Sequence, residues 1–328
     1  MSLNFKIFDH VNDDPEKLFP LYDKVYGDSE AIRQRWHWEF IQHPRSDRYR
    51  FFLAESTTGE LAGMTVRMPL DVWVGDEVFP AFFATNSMVN PSFRGQDLIC
   101  RLYMRAAEDG ALHLSKGTTA PMIRQLQKMG YNVVEPNNYM ACLLAPWAWM
   151  WGRITGRAVK PKVSLRVLRA FSDYSAIERF TAEFEEIMPK AAAVVEKTAD
   201  ELNWRYIDPP HRRYYCYARR SNGRIVSWCA IRCEGYNAML ADLRWRSEEK
   251  DEPVRTIRFA KALARSLGMV KLTCWTPNVD LRRVLAREFF VQRKESPGFS
   301  FFSHDQRWHN ICWRDAHFVH GDGDAEYL

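Results

Sequence analysis

The sequence predicts an α+β (mixed α/β) fold made of two tandem copies of one domain, each a mostly antiparallel, twisted sheet flanked by helices. A repeat is the first observation behind this prediction. WEFIQHPRSDRYRFFLAESTTGELAGMTVR begins at Trp38 and WRYIDPPHRRYYCYARRSNGRIVSWCAIR at Trp204, and both run from a Trp through a Pro and two strand patterns to an Arg. The copies start about 165 residues apart, far more than a solenoid period, so whole domains are repeated. The length of 328 residues also suits two domains.

The first half contains two strand patterns, two helical patterns and then a meander. FKIFDH and RFFLAES predict strands, and the helical patterns between them cover 15–27 and 29–42. Apolar runs at 61–74 and 78–89 predict two more strands, joined by the turn VGDE. We then expect a helix from Asp97, a strand at LHLSKG, a helix at 121–129 and strands near Tyr131 and Tyr139.

The second half repeats this order of elements. We expect a strand at 163–171, helices at 174–188 and 190–207, and strands near Tyr214, Ile225 and Asn237. A helix at 252–267 has an apolar stripe that suits packing on a sheet. The strand VKLTCWTP, a helix at 278–288 and strands near Phe290 and Phe299 complete the copy.

Weak points in these patterns predict the domain boundaries. The segment RITGRAVKPK combines Gly, Pro and like charges and interrupts the apolar pattern, which is typical of a linker. We therefore expect an N-terminal domain at 1–152, a linker at 153–162, a C-terminal domain at 163–313 and a polar, loose tail at 314–328.

Composition excludes several classes of protein. With 46% hydrophobic and 27% charged residues, the chain is typical of a packed globular protein. The net charge of +5 comes without a dense Lys/Arg block, so nucleic acid is not indicated as a partner. Seven cysteines at unrelated spacings, and an N-terminus without a signal-peptide pattern, predict a cytoplasmic protein. No His/Cys pattern has the spacing of a zinc site, so we expect no metal.

The segment MACLLAPWAWMW, which begins at Met140, is the most membrane-like part of the chain. It has 12 residues and contains Pro146, whereas a helix that spans a bilayer needs about 20 apolar residues, so no transmembrane segment is predicted. The tryptophans and basic residues between Trp147 and Lys162 leave two interpretations open. One is an interfacial helix that contacts anionic lipid. The sequence favours the other, a helix between the domains with a solvated basic end.

The window NSMVNPSFRGQDLICRLY carries the strongest indication of a binding site. A strand ends at Val89, and the chain passes through a turn at Arg94 and Gly95 into the helix predicted from Asp97. Unpaired N–H groups at a helix N-terminus can hold a phosphate, and a glycine lets the main chain approach closely. Arg94 would add a charged donor. The pattern is typical of an anion-binding turn.

This window and the order of elements resemble the coenzyme A site of the GNAT (GCN5-related N-acetyltransferase) superfamily, whose loop reads Gln/Arg-x-x-Gly-x-Gly/Ala. Arg94 matches the first position, whereas Asp97 and Ile99 stand where the family has Gly and Gly or Ala. The resemblance implies acetyl-CoA or another acyl-CoA as co-substrate. It also implies that the coenzyme is bound by Met88, Val89, Arg94, Gly95, Gln96, Asp97, Leu98 and Thr119.

Asp97 is the main departure from the family loop. Its carboxylate would face the pyrophosphate, and like charges about 4 Å apart repel by roughly 4 kcal/mol at an effective dielectric constant of about 20. Aspartate is also among the best N-caps, and we expect Asp97 to cap the helix that follows it.

The later helix of each copy departs from the family in a different way. Family members open this helix with an Asn and end it with Gly-Phe or Gly-Tyr. The first copy has Thr119 and Gly130, and the second has Asn278 and Phe289. The second copy also has no Arg-Gly turn, so we expect it not to bind coenzyme A.

The resemblance implies an acyl-CoA-dependent N-acyltransferase, similar to N-acetyltransferases, whose first copy acylates an amine while the second copy shapes the acceptor cleft. N–H groups near Met88 and Val89 would polarise the thioester carbonyl. Many family members have a Tyr that acts as the general acid. Its position holds Leu126 in the first copy and Leu285 in the second, so no catalytic acid or base is identified. The acceptor stays open between a sugar amine, a peptide amine and a small polyamine.

Two other functions remain compatible with the sequence. One is a non-catalytic ligand- or partner-binding protein on a decayed GNAT scaffold, because a fold alone does not establish an activity. The other is an aminoacyl transferase similar to the FemXAB enzymes, with an aminoacyl-tRNA donor in place of coenzyme A.

Overall fold

The computed structural model describes residues 3–118, 120–134, 138–155, 165–293 and 298–322. The chain forms two compact units. Unit 1 draws on the segments Met1–Val72, Glu77–Val134 and Gly298–Ile311. Unit 2 draws on Trp73–Asp76, Glu135–Pro297 and Cys312–Leu328. Each unit therefore takes residues from both halves of the sequence.

The described residues contain strands and helices in the following order. The strands are β1 (Leu3–Phe8), β2 (Arg50–Ser56), β3 (Leu61–Val74), β4 (Glu77–Val89), β5 (Leu112–Thr118), β6 (Asn132–Val134), β7 (Tyr139–Leu143), β8 (Tyr174–Ala176), β9 (Val194–Val195), β10 (Tyr214–Ser221), β11 (Arg224–Glu234), β12 (Asn237–Trp245), β13 (Lys271–Trp275), β14 (Val291–Gln292) and β15 (Gly298–Phe302). The α-helices are α1 (Phe19–Tyr26), α2 (Glu30–Trp36), α3 (Leu98–Ala106), α4 (Ala120–Lys128), α5 (Pro146–Thr155), α6 (Ala199–Tyr206), α7 (Glu252–Ser266) and α8 (Val279–Arg287).

The sheet of each unit has the same strand order. In unit 1 the order is β1-β2-β3-β4-β5-β15-β6, and in unit 2 it is β8-β10-β11-β12-β13-β7-β14. The two orders correspond position by position, except that the last long strand of each copy lies in the sheet of the other. β15 pairs with β5, and β7 pairs with β13, both antiparallel. The predicted α+β fold with two mostly antiparallel sheets is confirmed, with an exchange of one strand that the sequence did not indicate.

In unit 1 the central strands separate part of the way along their length. β4 and β5 run parallel and pair only at Ala81–Phe83 and Leu112–Leu114. β4 then continues to Val89, while the later residues of β5 pair with β15 on its other side. An opening is therefore left between the C-terminal ends of β4 and β5.

Helix α3 packs directly on the sheet beside this opening. Its residues Leu98 and Leu102 are buried in a cluster with Phe52 and Ala62 of the neighbouring strands. Gly63 of β3 makes the close approach possible, because a Cβ atom there would lie 3.0 Å from Met88 O and 3.2 Å from Leu98 Cδ2.

Three element predictions for the start of the second copy are wrong. The described part of 163–171 is a 3-10 helix, Leu165–Phe171, and 174–188 contains β8 and one short 3-10 turn where a helix was expected. Of 190–207 only Ala199–Tyr206 is helical. The helix-like spacing belongs to Phe180, Phe184 and Ile187, which are buried in the core. These residues pack there without forming a regular helix.

Residues 316–322 of the predicted polar tail are buried. Ala316, His317, Phe318 and Val319 are each at most 1% exposed. Asp322 accepts the N–H of Val319 at 2.7 Å, which closes a tight turn. The expectation of a loose tail is therefore wrong for these residues, which pack inside unit 2.

Candidate functional site

The opening in unit 1 begins at an irregularity in β4. Asn86 has a φ of 45° in the middle of the strand, a conformation that Asn adopts more readily than most residues. Its side-chain amide donates to Thr85 Oγ1 at 3.1 Å and to Glu39 Oε1 at 3.2 Å, and its oxygen accepts from Tyr22 at 3.1 Å. Asn86 therefore joins the bend in β4 to the first helices of the chain.

Glu39 is a buried carboxylate beside this bend. It is 4% exposed and belongs to a π-helical turn, His37–Ile41, that follows α2. Its Oε2 accepts from Arg35 Nε at 2.7 Å. Single π-helical turns within helices are often found at functional sites, so the local geometry supports a role for this carboxylate.

A second polar group of unit 1 surrounds Arg67 on β3. Arg67 is 1% exposed, and its Nη1 donates to Thr65 Oγ1 at 3.2 Å, which in turn lies 2.7 Å from Ser87 Oγ. The guanidinium lies over the ring of Tyr103 at 4.3 Å. Within the described part of the chain, Arg67 Nε and Nη2 have no hydrogen-bond partner. Buried donors without a hydrogen-bond partner are costly, so these two nitrogens are available to a ligand oxygen or to water.

Tyr131 contributes a second group without a partner. It is 4% exposed, its ring centre lies 5.9 Å from that of Tyr103, and its hydroxyl is unpaired among the described residues. Burial raises the pKa of Tyr131 strongly, while the charge of Arg67 acts to lower it. The phenol therefore keeps its proton near neutral pH and can donate a hydrogen bond.

His113 lies on β5 opposite Phe82, one residue before the β4–β5 pairing ends. Its Nε2 is 2.9 Å from Asp109 Oδ1, and Nδ1 has no partner within the described segments. Burial lowers the pKa of His113, although the hydrogen bond to Asp109 opposes this shift. The imidazole is therefore neutral near pH 7, with one nitrogen facing the carboxylate and the other unpaired.

The residues predicted to bind coenzyme A fall into two groups. Met88 and Leu98 are buried and come together at Gly63, and Val89 is half-buried. The turn residues Arg94, Gly95, Gln96 and Asp97 are exposed at the start of α3. Thr119 lies outside the described residues. The structure thus brings the end of β4, the exposed turn and the start of α3 into one continuous region.

The prediction that Asp97 caps α3 is wrong. Asp97 stands at the N-cap position, but its side chain makes no capping hydrogen bond. Its φ is 51° and that of Gly95 is 80°, whereas a side-chain cap needs an extended N-cap residue. Asp97 therefore has the left-handed backbone that glycine adopts without strain.

The later helices end in the same way in both copies. After α4, Gly130 has a φ of 89°, and after α8, Phe289 has a φ of 67°. Asn278 caps α8 by accepting Leu281 N at 2.8 Å, and it donates to Asp315 O at 3.0 Å. In the second copy the side chain of the matching Asn is thus engaged in hydrogen bonds within the protein.

The equivalent opening of unit 2 is filled by the chain. β12 and β13 pair only over Asn237–Leu240 and Lys271–Cys274. Beyond this point His317 Nε2 lies 2.9 Å from Leu243 O of β12, and the His320 ring lies 6.3 Å from that of Trp275 in β13. Residues of the C-terminal segment therefore contact both strands where they separate.

Sequence reasoning missed five polar residues of unit 1: Glu39, Arg67, Asn86, His113 and Tyr131. Two of them carried a signal. Asn86 is an amide in the otherwise strand-like FFATNSMV, and Glu39 stands where the repeat has Arg205. A difference of charge inside a preserved repeat indicates a position that no longer serves the shared scaffold.

Among the described residues no group of three His, Cys, Asp or Glu side chains could hold a metal ion. In the same part of the chain, no helix has the length and apolarity needed to cross a membrane.

Comparison with known proteins gives similarity of structure and not of sequence. No protein-family model and no curated protein matches the chain. A probable N-acyltransferase from Enterococcus faecalis matches 92% of this chain and 73% of its own, with a TM-score of 0.62 and 11% identity. Saccharomyces cerevisiae N-myristoyltransferase with bound myristoyl-CoA matches 92% of this chain and 82% of its own, with a TM-score of 0.57 and 13% identity.

A third similar structure is that of a GCN5-related N-acetyltransferase. A GCN5-related N-acetyltransferase from Anabaena variabilis matches 91% of this chain and 72% of its own, with a TM-score of 0.61 and 12% identity. Each match spans both units, and each identity is far too low to carry an activity. The chain has the fold of the GCN5-related N-acetyltransferases.

Proposed function

We propose that unit 1 is an acyl-CoA-dependent N-acyltransferase that binds its co-substrate at the opening between β4 and β5. The observation that carries this proposal is the early end of the β4–β5 pairing, at Phe83 and Leu114, next to an exposed turn at the start of α3. The opening exposes main-chain groups of β4, and a helix N-terminus attracts phosphate. The bound myristoyl-CoA of the similar N-myristoyltransferase supports an acyl-CoA as ligand.

The polar residues around the opening suit transfer to an amine. The acceptor nitrogen would attack the thioester carbon, Glu39 would take the proton of the amine, and the coenzyme thiolate would leave. N–H groups near Met88 would polarise the carbonyl, and the hydroxyl of Tyr131 would donate a hydrogen bond to the departing thiolate, which takes up its proton from water after release. The Arg67 guanidinium, which lies near Tyr103 and Tyr131, would stabilise the negative charge that forms on the carbonyl oxygen.

Unit 2 has a different part in this proposal. Its opening is filled by the C-terminal segment, and its Asn278 is engaged with Asp315 O. We therefore assign coenzyme binding to unit 1 alone and the shaping of the acceptor cleft to unit 2. The acceptor class proposed is an amine on a small molecule, a sugar or a peptide.

Acyl-CoA binding is tested first, by calorimetric titration with acetyl-CoA and myristoyl-CoA. Arg94→Ala should weaken binding by roughly tenfold through the loss of a charge-assisted hydrogen bond. Asp97→Asn keeps a residue that tolerates the left-handed backbone and removes the charge. It should strengthen binding by about fivefold or more, since two charges at about 4 Å repel by about 1 kcal/mol even in water. Arg283→Ala, an exposed arginine of α8, is the matched control and should change nothing.

The chemical step is tested with Tyr131→Phe and with Tyr26→Phe as the exposed control. Tyr131→Phe should retain acyl-CoA binding and lose roughly a hundredfold in the rate of acyl transfer to a panel of amines, because a hydrogen bond to developing negative charge is lost. Binding without transfer by the natural protein would favour the non-catalytic function. No binding of either acyl-CoA by the natural protein and by Asp97→Gly would exclude the co-substrate.

A further inference from the structure

Helix α5 turns an apolar face toward solvent. Trp147, Met150, Trp151 and Ile154 are 54%, 57%, 56% and 73% exposed. Their spacing of i, i+3, i+4 and i+7 places them on one side of the helix. We refer to these four side chains as the tryptophan stripe.

The opposite side of α5 carries small residues that attach it to unit 2. Ala148 is 2% exposed and packs with Ala145 and Val270. The N–H groups of Leu144 and Ala145 both donate to Val270 O, at 2.8 and 3.2 Å. A surface helix normally buries its large apolar residues and exposes polar ones, and α5 does the reverse.

The stretch of sequence that contains the stripe carries only positive charges. Between Glu135 and Asp173 the sequence has six Lys or Arg residues and no Asp or Glu, while the whole chain has a net charge of +5. Among the described residues, Arg153 lies over the ring of Trp149 at 4.9 Å, and Arg265 Nε lies 3.4 Å from Leu144 O, just before α5. Tryptophan on one face with Lys or Arg beside it is the pattern of helices that lie on anionic lipid.

We propose that unit 2 binds the surface of an anionic lipid bilayer through the tryptophan stripe. The apolar rings would lie at the boundary of headgroups and acyl chains, and their indole N–H groups would donate to headgroup oxygens. Arg153 would reach the phosphate level with its aliphatic stem along the apolar surface. α5 would lie in the plane of the membrane. This binding is independent of the proposed acyl transfer.

Co-sedimentation of the full chain with vesicles tests the proposal. We expect binding to vesicles of phosphatidylcholine with about a third phosphatidylserine, weakened tenfold or more in pure phosphatidylcholine and also by high salt. The double variant Trp147→Gln/Trp151→Gln should lose tenfold or more in vesicle affinity. Its melting temperature should stay within a few degrees of the natural protein, because both side chains are exposed. Ile7→Gln, an exposed apolar residue of unit 1, is the matched control and should bind as the natural protein does.

Three outcomes would overturn the proposal. The first is no binding of the natural protein to anionic vesicles. The second is equal binding by the double variant, which would place the contact elsewhere. The third is a natural protein that is dimeric by light scattering without lipid while the double variant is monomeric. The stripe would then be an interface between two copies of this chain.

Discussion

Replacing Lys197 with methionine removes the cation between two buried carboxylates of unit 2. The Lys197 ammonium forms ion pairs with Asp242 and, at 2.5 Å, with Asp322 Oδ1. The two carboxylate side chains are 0% and 1% exposed. After the substitution, Asp242 would keep hydrogen bonds from Tyr206 at 2.7 Å and from Leu243 N at 2.8 Å. Removal of one partner from a buried ion pair costs about 3–5 kcal/mol, and we expect Lys197→Met to lose this much stability.

The loss should depend on pH. Burial acts to raise the pKa of Asp242, but the charges of Lys197 and Arg244 outweigh it and hold that pKa below its ordinary value. Without Lys197 the pKa of Asp242 rises, so the folded variant takes up a proton at a higher pH than the natural protein. The stability of the variant relative to the natural protein therefore increases as pH falls. We expect a smaller difference at pH 5 than at pH 7.

Urea unfolding followed by circular dichroism at both pH values measures these differences. Lys190→Met, which removes an exposed lysine of the same unit, should stay within about 0.5 kcal/mol of the natural protein. The double variant Lys197→Met/Asp322→Leu should recover part of the loss, because one unpaired carboxylate is gone. A loss below about 1 kcal/mol, or an equal loss at both pH values, would refute the assignment of Lys197 as the required counter-ion.

Three further substitutions test the backbone and the buried histidine. Gly63→Ala should cost about 1–3 kcal/mol, because its Cβ would press on Met88 O, and circular dichroism on heating measures it. Phe289→Gly should stabilise by about 0.5–1 kcal/mol in urea unfolding, since Phe289 is 78% exposed in a left-handed conformation, and Phe289→Ala should give no such gain. Burial, followed by the charge of Arg244, lowers the pKa of His317 to about 4, so its contribution to stability is lost as pH falls below the ordinary value of 6.5. His317→Gln should remove about 2 kcal/mol of the loss between pH 6.5 and 5, and an unchanged acid profile in urea unfolding would contradict this.

Local patterns predicted what local physics determines. The apolar runs of β3 and β4, the stripe of α7 and the start of α8 at Asn278 all follow from side-chain periodicity and capping, and the structure confirms them. The partner of a strand is not a local property. β7 and β15 have similar apolar patterns, and nothing in either strand indicates which sheet it joins.

The candidate site was predictable only where its residues are consecutive. The turn Arg94–Asp97 is one stretch of sequence, so its place at the start of α3 could be predicted. Its backbone could not, because an Asp at that position is ordinarily a cap. Arg67, His113 and Tyr131 come from separate elements, and only the folded sheet brings them together.

The two copies differ in how one pair of corresponding buried arginines is satisfied, and this difference supports the proposal that coenzyme binds to unit 1. In unit 2 Asp242 is paired with Lys197, and Arg232, the counterpart of Arg67, donates to Glu234 at 2.7 Å. Arg67 has no carboxylate partner among the described residues, and its Nε and Nη2 have no hydrogen-bond partner there. Within the same residues, Nδ1 of His113 and the hydroxyl of Tyr131 also have none. Each unsatisfied buried group costs about 1–3 kcal/mol. The pairing of Arg232 with Glu234 shows that the same fold can satisfy an arginine at this position. At this pair of arginines the cost is retained in unit 1 alone. A ligand site at Arg67 would explain this, because its unpaired donors are satisfied when the ligand binds.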